Sequence, residues 1–495
     1  MKQVSTPHAY IASVIFCVLF FAYTFSSQAT TTHSKSIDTL IKEIQDNPES
    51  ALLHYQLGTA YQKKENFDKA VEHLGKAFSL EPSNITYGFN YANALNIQGY
   101  ELEKALHIYE KLMELNPHNK GLKHNHAYTL KRLSRFHEAL CEFTVLLKAH
   151  PDYALAGFSR ALTLLVLGDL LNGFQEYNKW RFSSHKEAPR SYTQPEWKGD
   201  ETLKGKTIFV HDEQGLGDTF QFIRYAELLK QAGAYVIAQV HSPLKTLLSL
   251  CPYLDQVINR NDILPHFDYH VPLMSLPGIF HTDLDSIPHA IPYLYADESL
   301  VNLWRSRLNI DQGFKIGICW QGNAGYSTVA LRQVVKEKSL SLDYFKSLLD
   351  IPNVSLYSLQ KMSGIEQITK REGGFPLTIF TDNFDTSHGR FMDTAAIMKL
   401  LDLIITVDTS IAHLAGGLGC KVWLLLPKPA DWRWMLNETE TPWYPNVRLF
   451  RQQERGNWHD VFQQVQEALE EEMEKHNTCN HKICNKEKRV WSYEA

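Results

Sequence analysis

Four prolines near the start of the chain have a regular spacing, and this spacing constrains the fold more than any other feature. Pro48, Pro82, Pro117 and Pro151 are separated by 34, 35 and 34 residues. Small residues recur at matching offsets between them, namely Gly58, Ala70, Ala77, Ala92, Ala105, Ala127 and Ala139. Such a period is typical of stacked helix pairs, whose apolar faces are buried only when neighbouring repeats pack together. We therefore predict a helical repeat array over residues 37–185.

The repeated residues resemble a known repeat family. The unit ending at Pro82 contains Leu57-Gly58, Tyr61 and Ala70 and resembles the tetratricopeptide repeat (TPR). Three further units follow, of which the fourth is the weakest. The resemblance implies a concave face that binds a peptide or a segment of another protein. An array that only extends or caps the next domain is the alternative.

The first 29 residues have the pattern of a targeting segment. Residues 10–25 are apolar apart from Ser13 and Thr24, and small residues follow at Ser27 and Ala29. Sixteen helical residues span about 24 Å, which is less than the ~30 Å hydrocarbon core of a bilayer. We expect residues 1–29 to be a signal peptide or, if uncleaved, a membrane anchor. The protein would then enter the secretory pathway or be exported, and it would touch a membrane only through this segment.

Composition excludes several classes of protein. The formal net charge is −5 and the sequence pI is about 6.5, so a generally basic surface for nucleic acid is not expected. Seven cysteines in 495 residues are too few for a disulfide scaffold. Hydrophobic residues make up 44% of the chain and charged residues 21%, as in ordinary globular domains.

After a polar connector, strand and helix patterns alternate in two successive regions, residues 205–298 and 310–470. Each region opens with a β-rich run followed by a glycine-containing loop. The alternation predicts parallel sheets in two Rossmann-like halves, with ligands at the carboxyl ends of the strands. The pattern also predicts one continuous helix over residues 219–232 and a short strand at residues 379–380.

The loop after the first strand contains Gly215 and Gly217, followed by Asp218 near a helix start. Glycines at this point let the backbone approach a ligand closely. The third glycine of a dinucleotide fingerprint is missing, so we do not predict NAD binding. Asp218 alone could equally cap the helix. Asp212 and Glu213 are expected to be solvated loop charges, although they could bind a sugar hydroxyl or a cation.

A second helix start has more candidate ligand groups. An apolar strand ends at Asp408, Thr409 and Ser410, and His413 lies about one turn into the following helix. Free amide groups and the helix dipole favour phosphate at such a position. Helix capping with a packed histidine is the alternative.

Taken in order, these segments resemble the glycosyltransferase family that includes the ADP-heptose:lipopolysaccharide heptosyltransferases, and especially its TPR-fused members. The matching motifs are Gly215-Leu216-Gly217-Asp218-Thr219, Trp320-x-Gly322-Asn323, Ser358-Leu359-Gln360-Lys361 and Asp408-Thr409-Ser410-x-Ala412-His413-Leu414-Ala415-Gly416. The resemblance covers residues 205–460 and implies a GT-B fold. The expected fold class is therefore an α-solenoid followed by an α/β glycosyltransferase. The motifs fit O-linked N-acetylglucosamine transferase less well.

The resemblance also implies roles for individual residues. Asp218 matches the catalytic base that would deprotonate the acceptor. The positions matching the nucleotide-sugar site are Lys338, Asp408, Thr409, Ser410 and His413. Gly215, Gly217, Gly322 and Asn323 match the loop positions of the motifs. The implied reaction is transfer of a sugar from a nucleotide-sugar to a protein or glycan acceptor, with inversion. It needs no cofactor and no obligatory metal ion.

One segment departs from the family pattern. Residues 324–337 contain no acidic residue before Glu337. Lys336 is therefore the alternative to Lys338 as the basic residue of the donor site. A TPR adaptor whose glycosyltransferase-like domain does not catalyse is the alternative function. A sugar-nucleotide epimerase or a phosphorylase is a weaker alternative.

The end of the chain is rich in charged residues. We expect residues 471–495 to form a polar tail. His476, Cys479, His481 and Cys484 lack the usual zinc-ligand spacing, so no metal site is predicted there.

Overall fold

The computed structural model describes residues 35–184, 190–308, 313–326, 328–369, 375–380, 383–436 and 439–490, with only the backbone for residue 330 and residues 477–490. The first part is a stack of antiparallel helix pairs that follow one leading helix. These helices are α1 (Ile37–Asp46), α2 (Ala51–Lys63), α3 (Phe67–Leu80), α4 (Ile85–Gln98), α5 (Leu102–Leu115), α6 (Lys120–Arg132), α7 (Phe136–Ala149), α8 (Ala154–Val166) and α9 (Leu170–Ser184). The predicted α-solenoid is therefore present, with its four registered units as four helix pairs.

Small residues lie where the helices of a pair cross. A Cβ atom on Gly58 of α2 would come within 2.7 Å of Leu74 Cγ of α3, so only glycine allows this approach. Ala70 and Ala105 are fully buried. Side chains at the helix starts support the local geometry, since Ser36, Ser50 and Asn84 accept hydrogen bonds from backbone amides.

The first α/β half contains a four-stranded sheet. Its elements are β1 (Thr207–His211), α10 (Leu216–Phe222), α11 (Tyr225–Gln231), β2 (Tyr235–Val240), α12 (Lys245–Leu248), β3 (Gln256–Asn259), β4 (Tyr269–Pro272) and α13 (Leu276–Ile279), and α14 (Glu298–Leu308) leads to the second half. The strand order is β3-β2-β1-β4, and all neighbours are parallel.

The prediction of one helix over residues 219–232 was wrong, because the structure divides it into α10 and α11. The division lies at Ile223 and Arg224. Arg224 is buried, donates a hydrogen bond of 2.7 Å to the Trp443 carbonyl and lies 4.1 Å from the Tyr293 ring centroid. The break thus coincides with a contact to a residue more than 200 positions away.

The second half contains a six-stranded sheet. Its elements are β5 (Phe314–Cys319), α15 (Val329–Lys338), α16 (Lys346–Leu349), β6 (Val354–Ser358), α17 (Glu366–Thr369), α18 (Met392–Met398), β7 (Leu403–Val407), α19 (Ser410–Gly417), β8 (Val422–Leu426), β9 (Glu440–Thr441), β10 (Tyr444–Arg451) and α20 (His459–Val490). The order is β6-β5-β7-β8-β10-β9, parallel except for the β10–β9 pair. Two parallel-sheet halves after a helical array give a GT-B-like arrangement.

Two details of the second half differ from expectation. The strand predicted at residues 379–380 is absent, since only Thr378 forms a bridge, with Tyr357. The Phe380 ring instead stacks on Phe384 with centroids 4.7 Å apart. The tail predicted from residue 471 is also different, because α20 continues through it to Val490. Met473 is buried in the core of this half, so the packed part of the helix extends past the predicted boundary at least to this residue.

The array and both halves share one packed core. The Phe174 ring of α9 meets Phe222 of the first half and Trp432 and Trp443 of the second half edge-on, with centroids 5.6–6.3 Å apart.

None of the helices in the described residues is long and apolar enough to cross a membrane. The signal or anchor predicted at residues 1–29 lies outside the described residues.

Candidate functional site

The carboxyl ends of three strands bring the predicted donor-binding residues to one edge of the second sheet. β7 pairs in parallel with β5 and with β8, so all three strands end on the same side. The loops that follow them carry Gly322 and Asn323, the Asp408–Ser410 segment, and the segment around Trp432. This edge is where parallel α/β sheets place their ligands. We call it the donor edge, after the predicted role of its residues.

Asp218 lies across from this edge, in the first turn of α10. Its Oδ2 accepts a hydrogen bond of 2.8 Å from the Gly215 amide, and its Oδ1 is bound by the Arg433 guanidinium of the second half. Burial raises the pKa of Asp218, while Arg433 opposes the rise. The predicted base therefore lies at the junction of the two halves, with an ionic partner that the sequence did not indicate.

Arg433 holds several groups together at this junction. Its guanidinium binds Asp218 and also donates to Asp431 over 2.9 Å and to Gln221 Oε1 over 2.8 Å. It lies 4.4 Å from the centroid of the Trp432 ring. Two carboxylates around one buried cation balance its charge, which makes the burial of the group tolerable. The sequence feature that could have indicated Arg433 is its position between two tryptophans, Trp432 and Trp434.

Lys338 is the last residue of α15 and faces the donor edge. Its Nζ lies 3.5 Å from Asp408 Oδ2, so these two predicted residues form an ion pair. A Cβ atom on Gly322 would lie 3.8 Å from Lys338 Cε, which places the Gly322 loop against this side chain. The alternative, Lys336, is exposed. Lys338 is thus the lysine that the fold brings to Asp408.

The start of α19 is formed as a capped helix terminus. Thr409 is the N-cap residue, and its hydroxyl accepts a hydrogen bond of 3.3 Å from the Ile411 amide. Ser410 is partly exposed. Asn323 is exposed on the facing loop, where its Oδ1 accepts from the Gly325 amide over 3.1 Å. The backbone amides of Thr409 and Ser410 directly follow Asp408, so they lie at the same edge as the Lys338–Asp408 pair.

His413 lies deeper than the other predicted donor residues. Its side chain is 4% exposed, Nδ1 is 2.9 Å from the Tyr444 hydroxyl, and its ring stacks on Trp434 with centroids 5.2 Å apart. A Cβ atom on Gly217 would approach its Cδ2 to 2.9 Å. Burial, with a further contribution from Arg433, lowers the pKa of His413 to about 3. His413 is therefore neutral at physiological pH.

Asp212 and Glu213 are not solvated loop charges, in contrast to the expectation. Asp212 is buried and pairs with Arg190 at 2.9 Å and Arg260 at 3.1 Å. Glu213 pairs with Arg181 of the repeat array at 3.2 Å. Arg190 belongs to the connector and Arg181 to the array, so these two ion pairs join both segments to the first half, whereas Arg260 belongs to the first half itself.

Gln360, in the third motif, organises the loop beside the donor edge. Its Oε1 accepts hydrogen bonds from the Trp320 and Gln321 amides, both at 3.0 Å. Its Nε2 donates to the Gln321 carbonyl at 2.9 Å. The motif thereby fixes the loop that carries Gly322.

The repeat array covers one side of the donor edge. Glu337 binds Arg132 of α6 at 3.0 Å and approaches Arg455 at 3.6 Å, while Arg332 binds Glu65 of the first repeat. A cavity of about 170 Å³ lies between the array and the second half. Lys338 and Asp408 line it from one side.

Known proteins are similar to the repeat array and to a larger part of the chain. Residues 51–84 match the model of the tetratricopeptide repeat, which confirms a TPR in the predicted array. Protein FlbA of Caulobacter vibrioides is 24% identical over 390 residues, covering 73% of this chain. The chain spans 63% of the length of that relative.

Among solved structures, YrrB, described as a TPR protein with an unusual peptide-binding site, covers 29% of this chain and 76% of its own at 19% identity and a TM-score of 0.25. A family 9 glycosyl transferase from Veillonella parvula covers 51% of this chain and 87% of its own at 12% identity and a TM-score of 0.37.

Proposed function

We propose that this chain is a glycosyltransferase that uses a nucleotide-sugar donor and whose TPR array recruits a protein or glycan acceptor. The proposal rests on the position of Asp218 relative to the predicted donor-binding residues. Asp218 of the first half lies at the junction with the second half, whose adjoining edge carries the Lys338–Asp408 pair and the start of α19. A proton acceptor and a phosphate-binding edge are the two components that sugar transfer from a nucleotide requires.

In the proposed reaction, Asp218 accepts the proton of the acceptor hydroxyl. The hydroxyl oxygen forms a bond to the anomeric carbon while the bond to the diphosphate oxygen breaks, which inverts the configuration. Burial favours the reaction because it raises the pKa of Asp218 and thus its basicity. Lys338 and the amides at the start of α19 stabilise the negative charge of the leaving diphosphate.

Nucleotide binding tests the donor side of this proposal. The full chain would be titrated with the 5′-diphosphates of uridine, guanosine, adenosine and cytidine and with CMP by calorimetry. Lys338→Ala should weaken binding of the preferred nucleotide about tenfold or more, because a charged phosphate contact is lost. Lys336→Ala is the matched control, since this exposed lysine lies two residues away on the same helix. Equal effects of the two substitutions would contradict the proposal.

A second candidate function is a TPR adaptor with a non-catalytic domain. Both carboxylate oxygens of Asp218 already have partners, the Gly215 amide and the Arg433 guanidinium. Such a carboxylate can act as a structural link between the halves. Tight binding of a protein partner together with no nucleotide binding would favour this candidate.

Export is part of the same proposal. Residues 1–29 would direct the chain into or across a membrane, and the array would bind an acceptor peptide on the far side. A reporter fused after Lys35 tests this, because its activity shows on which side of the membrane it lies. A reporter that stays cytosolic would contradict export.

A further inference from the structure

The cavity between the repeat array and the second half has features of a binding site. Besides Lys338 and Asp408, it is lined by Asn96 of α4 and by the aromatic residues Tyr128, Phe136 and Trp432. Tyr128 and Phe136 belong to the array, whereas Trp432 follows β8. Flat aromatic faces and a few polar groups are typical of a site for a planar organic ligand.

Asn96 gives the cavity a directional polar group. Its side chain is 1% exposed, and its Oδ1 is buried without a hydrogen-bond partner. Its Nδ2 donates to the Thr129 hydroxyl over 2.9 Å. That hydroxyl already donates to the Asn125 carbonyl over 2.7 Å, so the Asn96 amide must present its nitrogen to Thr129. Its oxygen is then an acceptor that lacks a donor, and a ligand with an N–H group would satisfy it.

We infer that this cavity binds the nucleobase of the donor, so that the TPR array forms one wall of the nucleotide site. The inference rests on the proposed function. The diphosphate lies against Lys338, which the cavity shares with the donor edge. Asp218 is not among the described residues that line the cavity. The sugar must be next to Asp218, so the nucleobase, at the other end of the diphosphate, extends into the cavity.

Each contact has a counterpart on a nucleobase. The aromatic residues of the wall pack against the ring, and its N–H edge donates to Asn96 Oδ1. Arg455 also lines the cavity, and its Nη2 is buried without a hydrogen-bond partner, so it can donate to a ring nitrogen or carbonyl. A peptide side chain from the acceptor is the other class of occupant. The shared Lys338–Asp408 pair favours the nucleotide.

The test compares a nucleoside diphosphate with inorganic pyrophosphate on the full chain. In the wild type, the preferred nucleoside diphosphate should bind at least tenfold more tightly than pyrophosphate, because only the nucleoside reaches Asn96 and the aromatic residues of the cavity. Asn96→Ala should remove about tenfold of nucleotide affinity and leave pyrophosphate affinity unchanged. Tyr128→Leu, which keeps an apolar side chain but removes the ring, should act in the same direction.

Asn90→Ala is the matched control. Asn90 lies on the same helix, is also buried and donates to the Thr86 carbonyl over 2.8 Å, but it does not line the cavity. It should leave both affinities unchanged. Unchanged nucleotide affinity in Asn96→Ala, or an equal loss for nucleotide and pyrophosphate, would overturn the inference. An acceptor-derived peptide that competes with the nucleoside but not with pyrophosphate in the wild type, and no longer does so in Asn96→Ala, would assign the cavity to the peptide.

The same experiment separates the two proposals. If neither pyrophosphate nor any nucleotide binds, the proposed function fails together with the inference. If both ligands bind with the same affinity and Lys338→Ala weakens both, the donor site stands and only the inference fails.

Discussion

Gly217 of the first half and His413 of the second half are in direct contact, and a methyl group on Gly217 would lie 2.9 Å from His413 Cδ2. His413 cannot easily move, since Tyr444 binds its Nδ1 and Trp434 stacks on its ring. The glycine that resembles a ligand-binding residue in the sequence thus allows α10 and α19 to pack closely.

Gly217→Ala should therefore destabilise the protein. Overpacking at a fixed contact costs about 1–3 kcal/mol, because side chains or backbone must shift to relieve it. Thermal unfolding of the full chain measures the effect. Gly325→Ala is the control, since the nearest atom to its added methyl group would be the Oδ1 of the exposed Asn323, at 3.2 Å. Equal melting temperatures for Gly217→Ala and the wild type would show that the contact is not tight.

Arg433 should set the pH at which Asp218 becomes an active base. Burial raises the pKa of Asp218, and the guanidinium lowers it. Replacing the cation in Arg433→Gln removes the lowering effect, so the acid limb of kcat/KM should move to higher pH. Arg433→Lys retains a positive charge and should move the limb less. A limb that stays in place in Arg433→Gln would contradict a catalytic role for the Asp218 carboxylate.

His413 should make the protein less stable in acid. Its pKa is lowered to about 3 in the folded state, while an unfolded histidine titrates near 6.5. The unfolded chain therefore binds one more proton between these values, and stability falls by about 1.4 kcal/mol per pH unit as the pH decreases through this window. His413→Gln should reduce this slope in denaturant titrations between pH 4 and 6. Titration of the His413 ring near pH 6.5 in NMR spectra would contradict this account.

Donor turnover should persist in excess EDTA. Lys338 and Arg433 supply positive charge beside the predicted diphosphate position, and such preorganised charge can stabilise a leaving group. Release of nucleoside diphosphate from the donor, measured with and without EDTA, checks this. Loss of release that Mg²⁺ or Mn²⁺ restores would show that a metal ion is required.

Local sequence patterns predicted much of the architecture. The apolar strand predicted to end at Asp408 is present as Leu403–Val407, in which four of the five residues are apolar. The strand Tyr444–Arg451 was not predicted, because it begins beside a proline and contains two arginines. The break between α10 and α11 was also missed, since it coincides with the contact between Arg224 and the distant Trp443.

The candidate site was predictable only in part. Asp218 and Asp408 were indicated because helix starts and strand ends are visible in sequence, whereas Lys338 was indicated only by the family resemblance. The partner of Asp218 was missed, since Arg433 lies 215 positions away in the chain. Asn96 was missed for a related reason, because its unpaired oxygen becomes evident only when the repeat helices pack together.

Turnover of the preferred nucleotide-sugar by Asp218→Asn tests whether Asp218 is the catalytic base. The substitution keeps the shape of the side chain but removes the base. We expect nucleotide affinity to change less than about threefold while turnover falls about 100-fold or more. Asp431→Asn, which alters the other carboxylate on Arg433, should lower turnover less than about tenfold and so separates loss of the base from disturbance of the arginine. Turnover by Asp218→Asn equal to that of the wild type would contradict the assignment of Asp218 as the catalytic base.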